Sequence, residues 1–396
     1  MKSSQWAAAA VICAVWTAQA QIQTAGNLLL NIDPSSLSGL INGAKVSSWT
    51  NSGTLGGCFI PAVSGQGAVY QTSVGGAPAV TFAASANSVM TNTVPPPSSI
   101  LSNNIWSAEI WVLNPTLESP EDQLSWTDRG SWIGSSDGTC MEIRYCGDSA
   151  NAVEHYNSTC NIPWTSAIPQ AGIWHHVAIT RDTNGVERLY ADGVLFTTKT
   201  PAVSNLRSGA PFALGGVWDR GALNWQMLFS GSLARARVHS GTLSGAQVLN
   251  NYQYERTTYQ TVWNGTAGTA LLWADSANWL GGNVGVDGGT VWVDNGGTAV
   301  LTNNLSLFYL FPTHGGLVVT NGAALALSAT STTVNMGNGS GKQFALTVAA
   351  GSFLLPGANV NNLYMGVNGG RADVVLGGSG ASALLDIDRD LIVGNG

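Results

Sequence analysis

From residue 27 to about residue 255 the chain alternates apolar and polar positions in short runs punctuated by Gly, Pro, Asn and Ser, the period-two pattern of half-buried strands. The clearest runs are Ala79 to Phe82, Trp106 to Val112, Trp174 to Thr180, Arg188 to Ala191 and Phe229 to Val238. Only Ser244 to Glu255 has helical character. Pro95, Pro96 and Pro97 donate no ladder hydrogen bonds, so the stretch running on through Ser99 predicts a surface loop. After Thr257 the pattern changes to apolar runs of about five residues, with Gly and Asn recurring between them. These runs are Thr290 to Val293, Ala299 to Leu301, Gly316 to Val319, Ala323 to Leu327, Phe344 to Val348, Ala372 to Leu376 and Asp390 to Val393. Strands this short bury no core singly, so they are expected to stack. Leu363-Tyr364-Met365-Gly366-Val367-Asn368-Gly369 returns as Leu391-Ile392-Val393-Gly394-Asn395-Gly396 about 28 residues later, a spacing suited to the coils of a solenoid. The pattern thus predicts two all-β regions, residues 21–256 and 257–396.

Composition agrees: 9% charged residues and 49 glycines leave little to solvate helical surfaces and much to make turns. A net charge of -7 without a basic stripe argues against a nucleic-acid partner. Residues 1–20 read as a secretory signal, with Lys2 as a positive start, Trp6 to Val15 as an apolar core and Ala18-Gln19-Ala20 as a cleavage site. That core is shorter than the ~20 residues a bilayer requires, and no later segment is a span candidate. The expectation is a protein that is secreted or held at the cell surface. Because the sequence stops within a repeat and has no polar cap, it also reads as the front part of a longer protein.

In an oxidising compartment Cys58, Cys140, Cys146 and Cys160 form an even set that allows three pairings. Cys140 and Cys160 bracket what reads as a hairpin, which makes them the first choice for a disulfide; free buried thiols are the alternative.

Gly172-Ile173-Trp174-His175-His176-Val177-Ala178-Ile179-Thr180-Arg181-Asp182 followed by Arg188-Leu189-Tyr190-Ala191-Asp192-Gly193-Val194 reads as two antiparallel strands, the second entering a tight turn at Asp192-Gly193. The pair resembles the signature of laminin-G-like, concanavalin A-like jelly rolls. Val46 to Gly53, Gly76 to Phe82, Ser107 to Val112 and Phe229 to His239 resemble further strands of that family, in the family's order, and Ser244 to Glu255 its closing helix. The resemblance covers roughly residues 27–256 and implies a two-sheet sandwich with Trp174 in the core between the sheets. It implies little about function, since such domains serve sugar binding, adhesion and protein contact alike. Val262-Trp263-Asn264-Gly265 and Ser276-Ala277-Asn278-Trp279, with the repeats that follow, resemble autotransporter-type passenger repeats of bacterial surface proteins.

Adjacent on a strand, His175 and His176 face opposite sides and cannot chelate one ion together, so both read as fold markers, as does the turn residue Asp192. Asp386, Asp388 and Asp390 alternate along a candidate strand; three carboxylates on one face would attract a cation such as calcium, or serve as solvated edge charges. No calcium ligand set is distinct enough to assign. The polar and aromatic clusters best suited to a ligand are Trp126, Asp128 and Arg129, and Glu154, His155 and Tyr156, since sugars stack on aromatic faces and bond carboxylate or guanidinium groups. Asp128 with Arg129 as an ion pair and Trp126 as core is the structural alternative. No ExDxxE triplet, HExxH helix or P-loop is present, and no catalytic residue is assigned. Three functions follow in order: a binding or adhesion protein whose jelly roll recognises an extracellular glycan or protein and whose solenoid is a stalk; a glycosidase or lyase whose catalytic residues lie unrecognised or beyond this sequence; and a purely structural surface protein.

Overall fold

The computed structural model describes residues 21–101, 104–116, 121–126, 141–144, 151–155, 162–164, 171–200, 210–265, 269–287, 289–327, 333–355, 362–377, 382–387 and 391–393, with the backbone alone for 141–144, 151–155, 333 and 362. Residues 1–20, and with them the expected signal, lie outside that set.

The first region is a sandwich of two eight-stranded antiparallel sheets. One sheet runs in the order Val194–Lys199, Glu187–Ala191, Trp174–Arg181, Trp106–Leu113, Gly231–His239, Ala77–Phe82 and Val69–Val74, with Leu28–Ile32 also paired to Gly231–His239. The other runs Ile162–Pro163, Asn151–His155, Met141–Arg144, Asp122–Trp126, Ala213–Leu214, Met90–Asn92, Cys58–Pro61 and Trp49–Thr50. Alternation in the central strands puts Trp106, Ala108, Ile110, Val112, Val177 and Ile179 into the core between the sheets. The opposite positions of the same strands are also buried, because the single described α-helix, Gly245–Tyr259, covers that outer face. Ser244 caps this helix in a reciprocal capping box with Gln247. The helix runs past the expected Glu255 to Tyr259, whose ring stacks on Trp111 with centroids 4.4 Å apart.

Trp174 is buried as expected, but on the other side of its sheet. It packs with Trp111 and Tyr259 beneath the helix and donates from Nε1 to the Val74 carbonyl at 2.8 Å. Its place in the strand decides this: Val177 and Ile179 take the inter-sheet side, so Trp174, His176 and Ala178 take the other. Asp192 and Gly193 form the two-residue hairpin turn, both at positive φ (49° and 75°), which matches the twist of the flanking strands.

The second region is a parallel β-solenoid of about four coils over residues 261–393. One wall stacks Thr261–Val262, Thr290–Val293 and Tyr309–Pro312, and carries on through Thr333–Met336, Asn362–Met365 and Leu391–Val393, the two parts joined where Gly337 N–H donates to the Pro312 carbonyl. The second wall is Ala270–Leu272, Thr298–Leu301, Gly315–Val319, Gln343–Val348 and Arg371–Leu376. The third is Leu305–Leu307, Ala324–Leu327, Ser352–Leu355 and Leu384–Ile387. Leu363 pairs with Leu391, as the sequence repeat predicts. Alternate residues such as Val291, Leu301, Leu317, Leu325, Val334, Leu346 and Phe353 fill the interior.

The two regions share apolar packing: Ile173 from the sandwich lies with Val262 and Trp292 of the solenoid, flanked by Leu280, Phe308 and Phe311. Arg256 on the helix pairs with Asp294 at 2.9 Å. Cys58 is a free thiol, while Cys140, Cys146 and Cys160 lie outside the described residues, as does any pairing among them. The strands between Cys140 and Cys160, Met141–Arg144 and Asn151–His155, do form the expected hairpin.

Candidate functional site

The ladder of the second sheet sets Trp126, Met141 and His155 in one row, with Glu154 against Glu142 beside it, so two of the candidate clusters read from the sequence meet at one end of one sheet. Trp126 itself is fully buried: its ring meets Trp106 edge-on at 5.3 Å and Phe212 at 5.9 Å. A ring with no exposed face cannot stack on a ligand, so Trp126 is core, and the binding role expected for it is corrected. Glu154 and His155 are placed by their backbone only, and Asp128, Arg129 and Tyr156 lie outside the described residues. Asp386 is exposed on Leu384–Ile387, which ends before Asp388 and Asp390, themselves outside the described residues. Among the described residues no three His, Cys, Asp or Glu side chains converge as a metal site.

The strongest polar constellation, under the helix, is closed to ligands. Glu109 is buried between His239, whose Nε2 is 3.2 Å from its carboxylate, and His176, at 3.4 Å, and accepts from Asn251 Nδ2 at 3.0 Å. Glu255 is held by Arg235 and Arg237 and by Trp111 Nε1 at 2.9 Å. Burial pushes the Glu109 carboxyl up, but His176 and His239 outweigh it and hold Glu109 well below the usual carboxylate range. Glu255 is lowered in the same way, burial being outweighed chiefly by Arg237. Their oxygens are committed and the helix lies over them, so this cluster fastens helix to sheet.

A different feature is open. Val217–Asp219 and Asn224–Gln226 form a two-stranded ribbon directly after the sheet strand Ala213–Leu214. Trp218 stands directly across from Trp225 with centroids 5.3 Å apart and rings at 64°. Both are part exposed, whereas every other described tryptophan is buried. On the other face Val217 is buried, and Asp219 closes the tip by accepting from Gly221 N–H at 2.8 Å and Ala222 N–H at 2.9 Å. The ribbon is fastened to the sandwich by Ser125 Oγ donating to the Gly216 carbonyl at 2.8 Å and by Asp122 N–H donating to the Met227 carbonyl at 2.8 Å. Gly215 admits no side chain, since a Cβ there would fall 2.4 Å from Phe82.

Backbone strain gathers at the same ribbon. Of the described non-glycine residues at positive φ, Asn87, Asp192, Asn321 and Asn368 are of the types that tolerate it, while Leu223 (54°) and Met227 (52°) are not, and these two bracket Asn224–Gln226. Leu223 is also 71% exposed. Exposed Arg220 lies in the turn between the strands, while Asn224 and part-exposed Gln226, whose Nε2 donates to Asn224 Oδ1 at 2.6 Å, alternate onto the ribbon's other face with Asp219 and Val217. Two part-exposed indole rings can stack on an apolar sugar face. The sequence signal was present in Trp218-Asp219-Arg220-Gly221-Ala222-Leu223-Asn224-Trp225, a tip segment whose two tryptophans pair only if it folds back as a hairpin.

Residues 85–249 match the concanavalin A-like lectin/glucanases superfamily in its laminin-G form, a concanavalin A-like domain that the solenoid follows. No curated protein matches the chain. Among solved structures it is similar to domain 4 of an extracellular arabinanase from Geobacillus stearothermophilus in complex with arabinotriose, with 18% identity, 58% of this chain and 100% of that one covered, and a TM-score of 0.39. It is similar also to a sialidase carbohydrate-binding module of Ruminococcus gnavus bound to α2,3 sialyllactose, with 14% identity, coverage of 56% and 97%, and a TM-score of 0.34. A third is the binding domain of Paraclostridial Mosquitocidal Protein 1, with 15% identity, coverage of 61% and 54%, and a TM-score of 0.38.

Proposed function

We propose that the jelly roll is a non-catalytic glycan-binding module of a secreted or cell-surface protein, that the Trp218–Trp225 ribbon is its contact surface, and that the solenoid is the stalk that carries it. The observation behind this reading is the exposure of these two rings in a chain whose other described tryptophans are buried. Leaving such rings part exposed forgoes hydrophobic burial, and the neighbouring backbone strain adds to that cost. A binding role accounts for both. The carboxylates of Glu109 and Glu255 support the non-catalytic part: they sit under the helix and are held ionised, whereas a general acid needs its proton affinity raised and its oxygen within reach of the scissile bond.

The test is a glycan array probed with the chain from residue 21, alongside a reducing-sugar assay on the polysaccharides retained. Trp218→Ala and Trp225→Ala should each weaken retention by about tenfold with the melting temperature unchanged, and no new reducing ends should appear. Release of reducing ends, abolished by removing one acidic residue, would make the protein a glycosidase. Retention of a protein surface with no glycan bound would make it an adhesin for proteins.

A further inference from the structure

Among the described side chains the arginines are, with one exception, committed to carboxylates. Arg181 pairs with Glu187, Arg188 with Asp182, Arg235 with Glu255 and Asp33, Arg237 with Glu255, Arg256 with Asp294 and Arg371 with Asp373. Among the described side chains Arg220 is the one arginine with no carboxylate within ion-pair distance. It is exposed, in the turn that joins the two strands of the tryptophan ribbon, two residues on from Trp218. The adjacent carboxylate, Asp219, does not neutralise it: Asp219 is 4% exposed and its Oδ1 is taken by the Gly221 and Ala222 N–H groups.

We infer that the ligand of the ribbon is an acidic glycan, and that the Arg220 guanidinium takes the carboxylate of a uronic- or sialic-type sugar stacked on Trp218 and Trp225; this rests on the glycan-binding reading. The planar fork of a guanidinium matches a carboxylate through two parallel N–H···O bonds, which selects it over a hydroxymethyl group. The indole faces supply sequence-tolerant stacking, and Arg220 supplies the choice between acidic and neutral sugars. No covalent step is involved. An exposed ion pair is worth up to about 1 kcal/mol, so the acidic form should be preferred by about fivefold, falling with added salt.

The experiment measures Kd by calorimetry for the chain from residue 21 with uronic-acid oligosaccharides and with the same oligosaccharides after reduction of their carboxyl groups to alcohols. The parent should prefer the acid form by about fivefold at low salt. Arg220→Gln should lose that preference while still binding the reduced form, and Trp218→Ala should lose both. Equal affinity of the parent for the two forms, or a preference that survives in Arg220→Gln, overturns the role of Arg220 while leaving the ribbon as a glycan site. Binding of neither form by the parent, on an array that also shows no sialylated or neutral glycan retained, removes the glycan reading and this inference with it.

Discussion

Glu109 shows what single residues contribute to this fold. Its carboxyl binds a proton less readily when folded than when unfolded, because His176 and His239 outweigh its burial. The stability it supplies is therefore present above the ordinary carboxylate range near pH 4.5 and is lost as the pH falls below it, since the unfolded chain takes up the proton first. Glu109→Gln leaves two imidazoles facing a neutral amide in a buried site and should cost about 3 kcal/mol at pH 7, with a shallower loss of stability between pH 5 and 3 in urea titrations. A variant with the parent's acid profile would show that the pairing is immaterial. This cluster was not legible in the sequence, because Glu109 meets His239 and Asn251 only after distant segments are brought together by the sheet and the helix. What local alternation determines was legible: His175 and His176 turn to different partners, Asp192 and Glu109, and Asp192-Gly193 makes the turn. Trp126 and Trp174 were harder, since a tryptophan on a strand fits a core face, a helix-covered face or a ligand face equally well, and only the packing of the opposite layer decides between them.

At the scale of elements, the long central strands were read to within a residue or two, and the ribbon strands were missed. Val217–Asp219 and Asn224–Gln226 are three residues each, too short for periodicity to distinguish from a loop. In the solenoid the run Leu305 to Pro312 is apolar but for Ser306, yet it is two strands, Leu305–Leu307 and Tyr309–Pro312, divided by a corner at Phe308 that no Gly or Asn announces. Thr333–Met336 was passed over because two of its residues, Thr333 and Asn335, are polar. The helix begins at its cap, Ser244, and the cap gives a clean test. Ser244→Ala removes the acceptor for the Gln247 N–H and should lower stability by about 1 kcal/mol in denaturant unfolding while leaving glycan retention unchanged. A change in retention without a change in stability would mean that the helix touches the ligand.

At the scale of the whole molecule, the sandwich and the solenoid meet through Trp292, Val262 and Ile173 and the Arg256–Asp294 pair, so they should unfold together. Trp292→Ala opens that junction. It should cost about 3 kcal/mol and split one calorimetric transition into two, an outcome that a merely tethered pair of domains would not give. Protection along the solenoid should fall with distance from that junction. The apolar side chains of the later coils, among them Val375 at 53%, Leu391 at 51% and Val393 at 69%, are far more exposed than Leu317 or Leu325. Hydrogen exchange at Leu391–Val393 should accordingly be much faster than at Gly315–Val319, and uniform protection would contradict this. The parallel stacking has a geometric consequence as well. Successive strands in a wall lie about 4.8 Å apart, so each coil is one fixed increment of length. Duplicating a coil would lengthen the solenoid by that increment without altering its junction with the sandwich, which makes the distance from the sandwich to the last coil a countable, heritable quantity, tuned in whole steps.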